Sequence, residues 1–509
     1  MIARPAIACA LVAAAALASV ATVQLTHPTP AQTHDEFSYL LTADTLLHGR
    51  LANPTHPLWI HFESPHILQR PTYVSKYPPL QGAILAVGLA LGNPVFGTAL
   101  SFALACAACT WMLRAWLPSG WALFGGLLLA LHPQLAAAWG TWLWGGAAAM
   151  TGGALVYGAV PRIVRAARVR DGVWLGLGVG TLALSRPYEG AVACVPAGLF
   201  LARGLLRADA RPSRASLRRA VAAAALVVAA FGGFLALYNE RTTGSPWTLA
   251  YTLYDATYAA VPALIVLPPY ESRSYNHAVL ASFYGPRSHN AQYYWRRASV
   301  AGFLTGVRQK IRAYGRFFCL TNLGLALLAL PWIWREPGVR FAVASCAFFA
   351  AALAIETHEF GHYAAPFVAL TSFLFVAALR RVCAVPRVGV ALVSILLAAA
   401  FLEHVAMAEW RIARREHNPL FLRPRLVREL DARGGRHLVV VRYAPDHDAH
   451  QEWVYNGADI DGSAVVWARE MDPPHNRRLF AYFADREAWL LRADERPIAL
   501  VPYPVSPSP

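Results

Sequence analysis

The chain has 509 residues, 56% of them hydrophobic and only 15% charged, against about 25% charged in a soluble globular protein. Its net charge of +16 would suit nucleic acid as a partner, but the surplus arginine lies in short loops between apolar blocks, the positive-inside pattern of a membrane protein, and this excludes that reading. All seven cysteines lie in apolar segments, so neither a disulfide framework nor a cysteine-based zinc site is legible.

The first apolar run covers residues 7–26. Small residues near its end are compatible with signal cleavage, but its length suits a full crossing of the ~30 Å hydrocarbon core, and we read it as an uncleaved first helix. Further runs occupy 94–115, 120–136, 142–160, 172–184, 190–206, 219–238, 317–334, 338–355, 363–380 and 388–404. The expectation is an all-α polytopic membrane domain over residues 1–404 with about 11 transmembrane helices. Basic residues follow the even-numbered runs: Arg114; Arg162, Arg165, Arg168 and Arg170; the cluster from Arg203 to Arg219; Arg335 and Arg340; Arg380, Arg381 and Arg387. That parity places the N-terminus and these loops in the cytoplasm of a multi-pass inner-membrane protein. It places the long loops 27–78 and 239–316, the short loop 356–362 and the tail 405–509 on the outer side.

Two segments interrupt the pattern. PLQGAILAVGLAL at 79–91 is apolar but too short to cross, and reads as a juxtamembrane or re-entrant helix. SRPYEG, Ser185 to Gly190, separates two shortish runs and lies at the outer face or part-way into the membrane. Arg186 and Glu189 there are expensive in an apolar setting, which makes them functional candidates, or else an interfacial ion pair. The tail changes character. HLVVVRY (His437 to Tyr443) and SAVVWARE (Ser463 to Glu470) read as strands, and 419–433 and 475–488 as helices, so the tail reads as a small extracytoplasmic α/β domain.

The first outer loop carries the densest polar signal. It opens HDEFSYLLTADTLLHGR, with Asp35 and Glu36 adjacent, and later reads SKYPPLQG into the short apolar helix. Lysine is nearly absent: of 45 Lys+Arg residues only Lys76 and Lys310 are lysine. A compact ammonium suits a single phosphate oxygen better than a planar guanidinium does. In the second outer loop Tyr251, Tyr254, Tyr258, Tyr284, Tyr293 and Tyr294 alternate with Arg273, Arg287, Arg296 and Arg297. They read as interfacial aromatics or as a sugar and acceptor platform, with Arg287 and His289 near a donor.

DEFSYLLTADTLLHGR, about 25 residues, and then KYPPLQGAILAVG resemble the GT-C superfamily of polytopic glycosyltransferases, in particular the protein O-mannosyltransferase-like and aminoarabinose-transferase-like enzymes. HYAAP, His362 to Pro366, is similar to the basic–Tyr–x–x–Pro start of a late helix in that superfamily. Tyr77 stands between Lys76 and the prolines, where the family pattern has Lys-Pro-Pro-Leu. The resemblance implies transfer, with inversion, of a sugar from a polyprenyl-phosphate donor to a hydroxyl of a cell-envelope glycan, lipid or protein. It implies Asp35 as base, Glu36 assisting it, and Lys76 on the donor phosphate, with Arg186 and Arg287 as further phosphate ligands. Tyr39, Tyr77, Tyr188, Glu189, His362 and Tyr363 would support them. The carboxylate pair Asp35/Glu36 leaves room for a divalent metal. Two rival readings are an intramembrane zinc protease using HEFGH (358–362), whose histidines would share one face of a helix, and a non-catalytic lipid or solute transporter.

Overall fold

The structure, a computed structural model, describes residues 4–28, 30–207, 212–271, 273–318, 320–358 and 360–504. Arg211, Cys319 and Glu359 lie outside them. Each of the eleven apolar runs carries helix, and the 79–91 segment forms the short helix Leu80–Ala90. Not all of these helices qualify as spans by length and composition. Among the described residues seven helices are long and apolar enough to cross a membrane: Pro5–Thr26, Pro94–Leu113, Gly146–Ala166, Pro187–Arg207, Arg214–Thr243, Gly361–Cys383 and Gly389–Glu416. Ser119–Ala130 and Pro133–Thr141 make an eighth if their 53° bend is taken as one broken span. The remaining runs fall short because their helices end early. Val339–Ala354 has 16 residues, about 24 Å at 1.5 Å per residue, against a core of ~30 Å. Val169–Ser185 stops at Arg186.

Local sequence sets the elements that frame the outer end of the bundle. Helix α1 (Pro5–Thr26) starts with proline in its first turn, where the missing N–H costs nothing. Helix α2 (His34–Leu47) begins with a capping box: the Thr33 hydroxyl accepts from Glu36 N–H, and the Glu36 carboxylate accepts from Thr33 N–H. Helix α3 (Leu80–Ala90) lies against α2 at Gly82, where an added Cβ would stand 2.4 Å from the Thr42 side chain. The turn Gly361–Phe367 is a 3₁₀ helix seated on Gly146–Ala166. Gly153 permits that approach, since a Cβ there would come within 1.9 Å of the Pro366 carbonyl oxygen.

The first outer loop folds into a small antiparallel sheet ordered β1 (Asn53–Pro54), β3 (Thr72–Ser75), β2 (Ile67–Leu68). The tail holds a four-stranded sheet. β4 (His437–Arg442) lies parallel to β5 (Val465–Arg469) and to β6 (Glu487–Arg492), and β7 (Leu500–Pro502) closes it antiparallel to β6. Strand β6 overlaps the end of the helix expected at 475–488, which is observed only over Pro473–Tyr482. Continuous apolar residues, Trp489 to Leu491, suit a strand covered on both faces.

The tail does not stand apart. The long helix Gly389–Glu416 runs without a break through position 404 into it. Tail residues Leu438, Val440, Trp453 and Trp467 share one buried core with Phe37 and Leu41 of α2 and with Phe62, Ile67 and Tyr73 of the first outer loop. Burying these large side chains, each worth about 1.5–3 kcal/mol, fixes α2 between the helical bundle and the sheet.

Candidate active site

Asp35 and Glu36 occupy successive positions on the first turn of α2 and face different surroundings. The Asp35 side chain is 24% exposed and that of Glu36 0%. Asp35 Oδ1 accepts the Tyr77 hydroxyl at 2.5 Å, and Oδ2 lies 3.9 Å from His66 Nε2. Glu36 accepts from the Gln32 and Thr33 backbone N–H groups, from Leu143 N–H, and from Arg415 Nη2 at 3.0 and 2.9 Å. Arg415 also lies over Trp142 at 4.6 Å. Both Glu36 oxygens are therefore committed to holding α2 against the bundle, and no acceptor capacity is left for a substrate. The T-x-x-E capping signature at Thr33 to Glu36 is the sequence signal for that role.

Lys76 reaches the same region from the other end of the loop. Its Nζ lies over the rings of Tyr251, Tyr254, Tyr77 and Tyr284 at 4.8, 5.2, 5.3 and 5.9 Å. Burial depresses its pKa, and the Asp255 and Asp35 carboxylates oppose that at longer range. Burial likewise pushes Asp255 up to about 6, with Lys76 opposing. An ammonium held by ring faces keeps its donors for an anion. Tyr77 also stacks on Tyr39, centroids 4.7 Å apart. Burial, then the Asp35 charge, raises the Tyr77 pKa, so its phenol donates to the carboxylate.

Arg186 comes from the break between two membrane helices. It pairs with Glu189 at 3.5 Å and covers the Tyr363 ring at 4.4 Å, and its charge is felt at Tyr39 and Lys76. The structure thus brings Asp35, Tyr39, Lys76, Tyr77, Arg186, Glu189 and Tyr363 to one place. His362 stands behind Tyr363, its ring 5.1 Å from Trp144, whose indole N–H donates to Thr33. Tyr188 turns away and donates to the Ala352 carbonyl. Arg287 is exposed, in the bend between Ala278–Tyr284 and His289–Arg296. Asp255 and Arg415 were not singled out by the sequence, and Tyr284 stood there only among the aromatics of the second outer loop. Asp255 carries no motif, and the partner of Arg415 is 379 positions away.

The described residues of HEFGH, His358 and Phe360 to His362, lie outside any α-helix. His358 precedes the 3₁₀ turn and accepts or donates at the Tyr251 hydroxyl, 3.0 Å away, while His362 packs among aromatic rings. The two imidazoles therefore lack the shared helical face that zinc ligation by this motif needs. Among the described residues no group of three or more His, Cys, Asp and Glu side chains gathers to hold a metal. With Glu36 bonded to Arg415, the Asp35/Glu36 pair does not fit a joint metal site either.

Beside the polar centre lies an apolar cavity of about 920 Å³. Ala364 and Phe367 of the 361–367 turn line it, so it reaches within one residue of Tyr363. Its other walls include Phe318, Leu330, Leu353 and Phe401, with Lys310 as a polar member. Lys310 donates to the Leu353 and Glu356 carbonyls.

No protein-family model and no curated protein sequence matches the chain. Solved structures do. The oligosaccharyltransferase of Archaeoglobus fulgidus in complex with zinc and sulfate superposes with TM-score 0.51 at 14% identity, over 94% of this chain and 68% of that one. The chain shares the fold of that enzyme. The same archaeal enzyme tethered to an acceptor peptide containing the NVT sequon gives 0.46 at 13% identity, over 95% and 68%. Its complex with an inhibitory peptide and a dolichol-phosphate gives 0.40 at 12%, over 85% and 62%. The chain spans about two thirds of the length of the solved structures it matches. Several of its apolar helices qualify it as a multi-pass membrane protein.

Proposed function

We propose that the chain is a glycosyltransferase that moves a sugar from a polyprenyl-phosphate donor to an acceptor hydroxyl at the outer face of the cytoplasmic membrane. One observation carries the reading: Asp35 and Lys76, far apart in the loop, meet beside Arg186 in a GT-C fold. Asp35 is the base. It is the one carboxylate of the pair with an oxygen open to a substrate, and Tyr77 fixes its orientation. Lys76 and Arg186 hold the donor phosphate as negative charge develops on it, in a site walled by tyrosine rings and poor in water. A single displacement of this kind inverts the anomeric carbon. The apolar cavity beneath Tyr363 supports a long isoprenoid tail on the donor. Acceptors with a hydroxyl on a cell-envelope glycan, lipid or protein suit Asp35 equally. The arginine loops at 161–171 and 203–219 face the cytoplasm and the tail faces outward. An active cytoplasmic reporter fused at position 450 would contradict that orientation.

The test is transfer of labelled sugar from a polyprenyl-phosphate donor in proteoliposomes. Wild type should transfer it, and Asp35→Asn should lower turnover by roughly 100-fold or more with donor binding kept. No transfer by wild type, or full transfer by Asp35→Asn, would refute the reading.

A further inference from the structure

His66 is held with unusual completeness for a loop histidine. It is buried, and its backbone has φ of +68°, a left-handed conformation that non-glycine residues adopt only when their surroundings enforce it. The surroundings do so. Its N–H donates to the Tyr254 hydroxyl at 2.9 Å. Its carbonyl accepts from the Ser38 hydroxyl at 2.7 Å and from Lys76 N–H at 3.0 Å. Its Nδ1 lies 2.9 Å from the Tyr284 hydroxyl. Ring contacts with His34, Phe283 and Tyr77 close the remaining sides. Only Nε2 is left, and it points at Asp35 Oδ2 across 3.9 Å.

The tautomer follows from the same network. The Tyr254 oxygen accepts from His66 N–H, and its ring lies 5.4 Å from that of Tyr284. Burial raises the Tyr284 pKa, so this phenol keeps its proton and is assigned as the donor to His66 Nδ1, 2.9 Å away. With Nδ1 an acceptor and the ring kept neutral by burial and by nearby Lys76, the proton of the imidazole sits on Nε2. An N–H donor therefore faces a carboxylate, yet the separation is too long for a direct hydrogen bond. A hydroxyl oxygen at about 2.8 Å from each atom would bridge the pair from the side, about 2 Å off the line that joins them.

We propose that this gap seats the acceptor hydroxyl, and that His66 is the residue that positions it. The inference rests on the glycosyltransferase reading of the site and adds where the nucleophile stands. The acceptor oxygen receives the Nε2–H hydrogen bond and gives its own hydrogen bond to Asp35 Oδ2, which leaves a lone pair directed at the donor. In the step itself the acceptor proton passes to Asp35 and the new bond forms from the acceptor oxygen to the anomeric carbon. The anomeric carbon–phosphate oxygen bond breaks, and its electron pair stays on the phosphate beside Lys76. His66 keeps its proton throughout. Its gain is orientation, so it belongs with near-attack positioning rather than with proton transfer.

The experiment uses His66→Gly in the full-length protein in proteoliposomes. Glycine accepts a φ of +68°, so the loop keeps its path while the imidazole is removed. Acceptor kcat/KM should fall roughly 10- to 100-fold while the donor KM stays within about twofold, and added imidazole should restore part of the rate. Tyr284→Phe, which releases Nδ1 and with it the tautomer, should give a smaller loss in the same parameter. Unchanged acceptor kinetics in His66→Gly would overturn the proposal. So would a loss that imidazole leaves untouched, which is the mark of a purely structural role. So would a stoichiometric divalent metal in wild type that is lost in both His66→Gly and Asp35→Asn, since the gap would then belong to the ion. Wild type lacking transfer altogether overturns the parent reading as well, whereas wild-type transfer with unaffected His66→Gly overturns only the hydroxyl seat.

Discussion

The two faces of the first turn of α2 carry the same chemical group into opposite circumstances. On one face Glu36 is sealed among backbone N–H groups, Arg415 and Trp142. On the other Asp35 has one anchored oxygen and one that looks across a gap at His66. A carboxylate whose acceptor sites are all taken cannot bind a substrate, however close it lies, but it can hold a helix in place. A carboxylate fixed by one strong hydrogen bond and left open on the other side is oriented and available. The pair therefore divides the work: Glu36 sets where α2 begins and how it docks, and that docking aims Asp35.

The division makes the two sides separable by mutation. The largest expected effect belongs to the sealed face. Glu36→Gln leaves the Arg415 guanidinium buried without its counter-charge, which should cost about 3–5 kcal/mol of stability, read as a lowered unfolding midpoint in detergent. Replacing Arg415 by Met in the same chain should recover part of it. A Glu36→Gln protein as stable as wild type would erase the distinction between the faces.

A smaller effect belongs to the ring-caged cation. Lys76→Ala should raise the donor KM and lower turnover together, and Lys76→Arg should restore only part of the loss, since a planar fork does not occupy the point-charge position among four tyrosines. The same cation should confer a modest pH dependence on donor binding. Asp255 titrates near pH 6. Above that it is ionised and offsets Lys76, and below it is neutral and leaves the ammonium's field to the phosphate. Donor affinity should thus rise a few-fold, roughly threefold, as pH falls from 7 to 5. Asp255→Asn should fix it at the low-pH value. An unchanged pH profile in Asp255→Asn would mean that Lys76 does not face the donor.

The comparison also shows what a sequence can carry. The apolar runs were legible as helices because composition over ~20 residues is a local property. Which of them are long enough to span was less legible, because that turns on where helices stop: at Arg186, at the His132–Pro133 break, and at the 16-residue Val339–Ala354. Asp35 stood out by its motif, Lys76 by the scarcity of lysine and Arg186 as a charge in an apolar region, and the structure gathers them. The scaffold role of Glu36 was half legible. Its capping box is written in Thr33 to Glu36, but its ion pair with Arg415 joins positions that only the folded chain brings together. HEFGH misleads for the converse reason, since its spacing has zinc-site meaning only on a helix and here it enters a 3₁₀ turn. Strand β6 was hidden because a short, fully covered strand has no alternation to distinguish it from helix.

The most direct measurement sets the two carboxylates side by side. Single-turnover sugar transfer and the unfolding midpoint should be recorded for Asp35→Asn and Glu36→Gln under the same conditions. A crossed result is expected: Asp35→Asn loses roughly 100-fold or more in transfer rate at an unchanged midpoint, while Glu36→Gln loses midpoint and retains most of its transfer rate per folded molecule. Transfer abolished in Glu36→Gln at wild-type stability, with Asp35→Asn fully active, would contradict it.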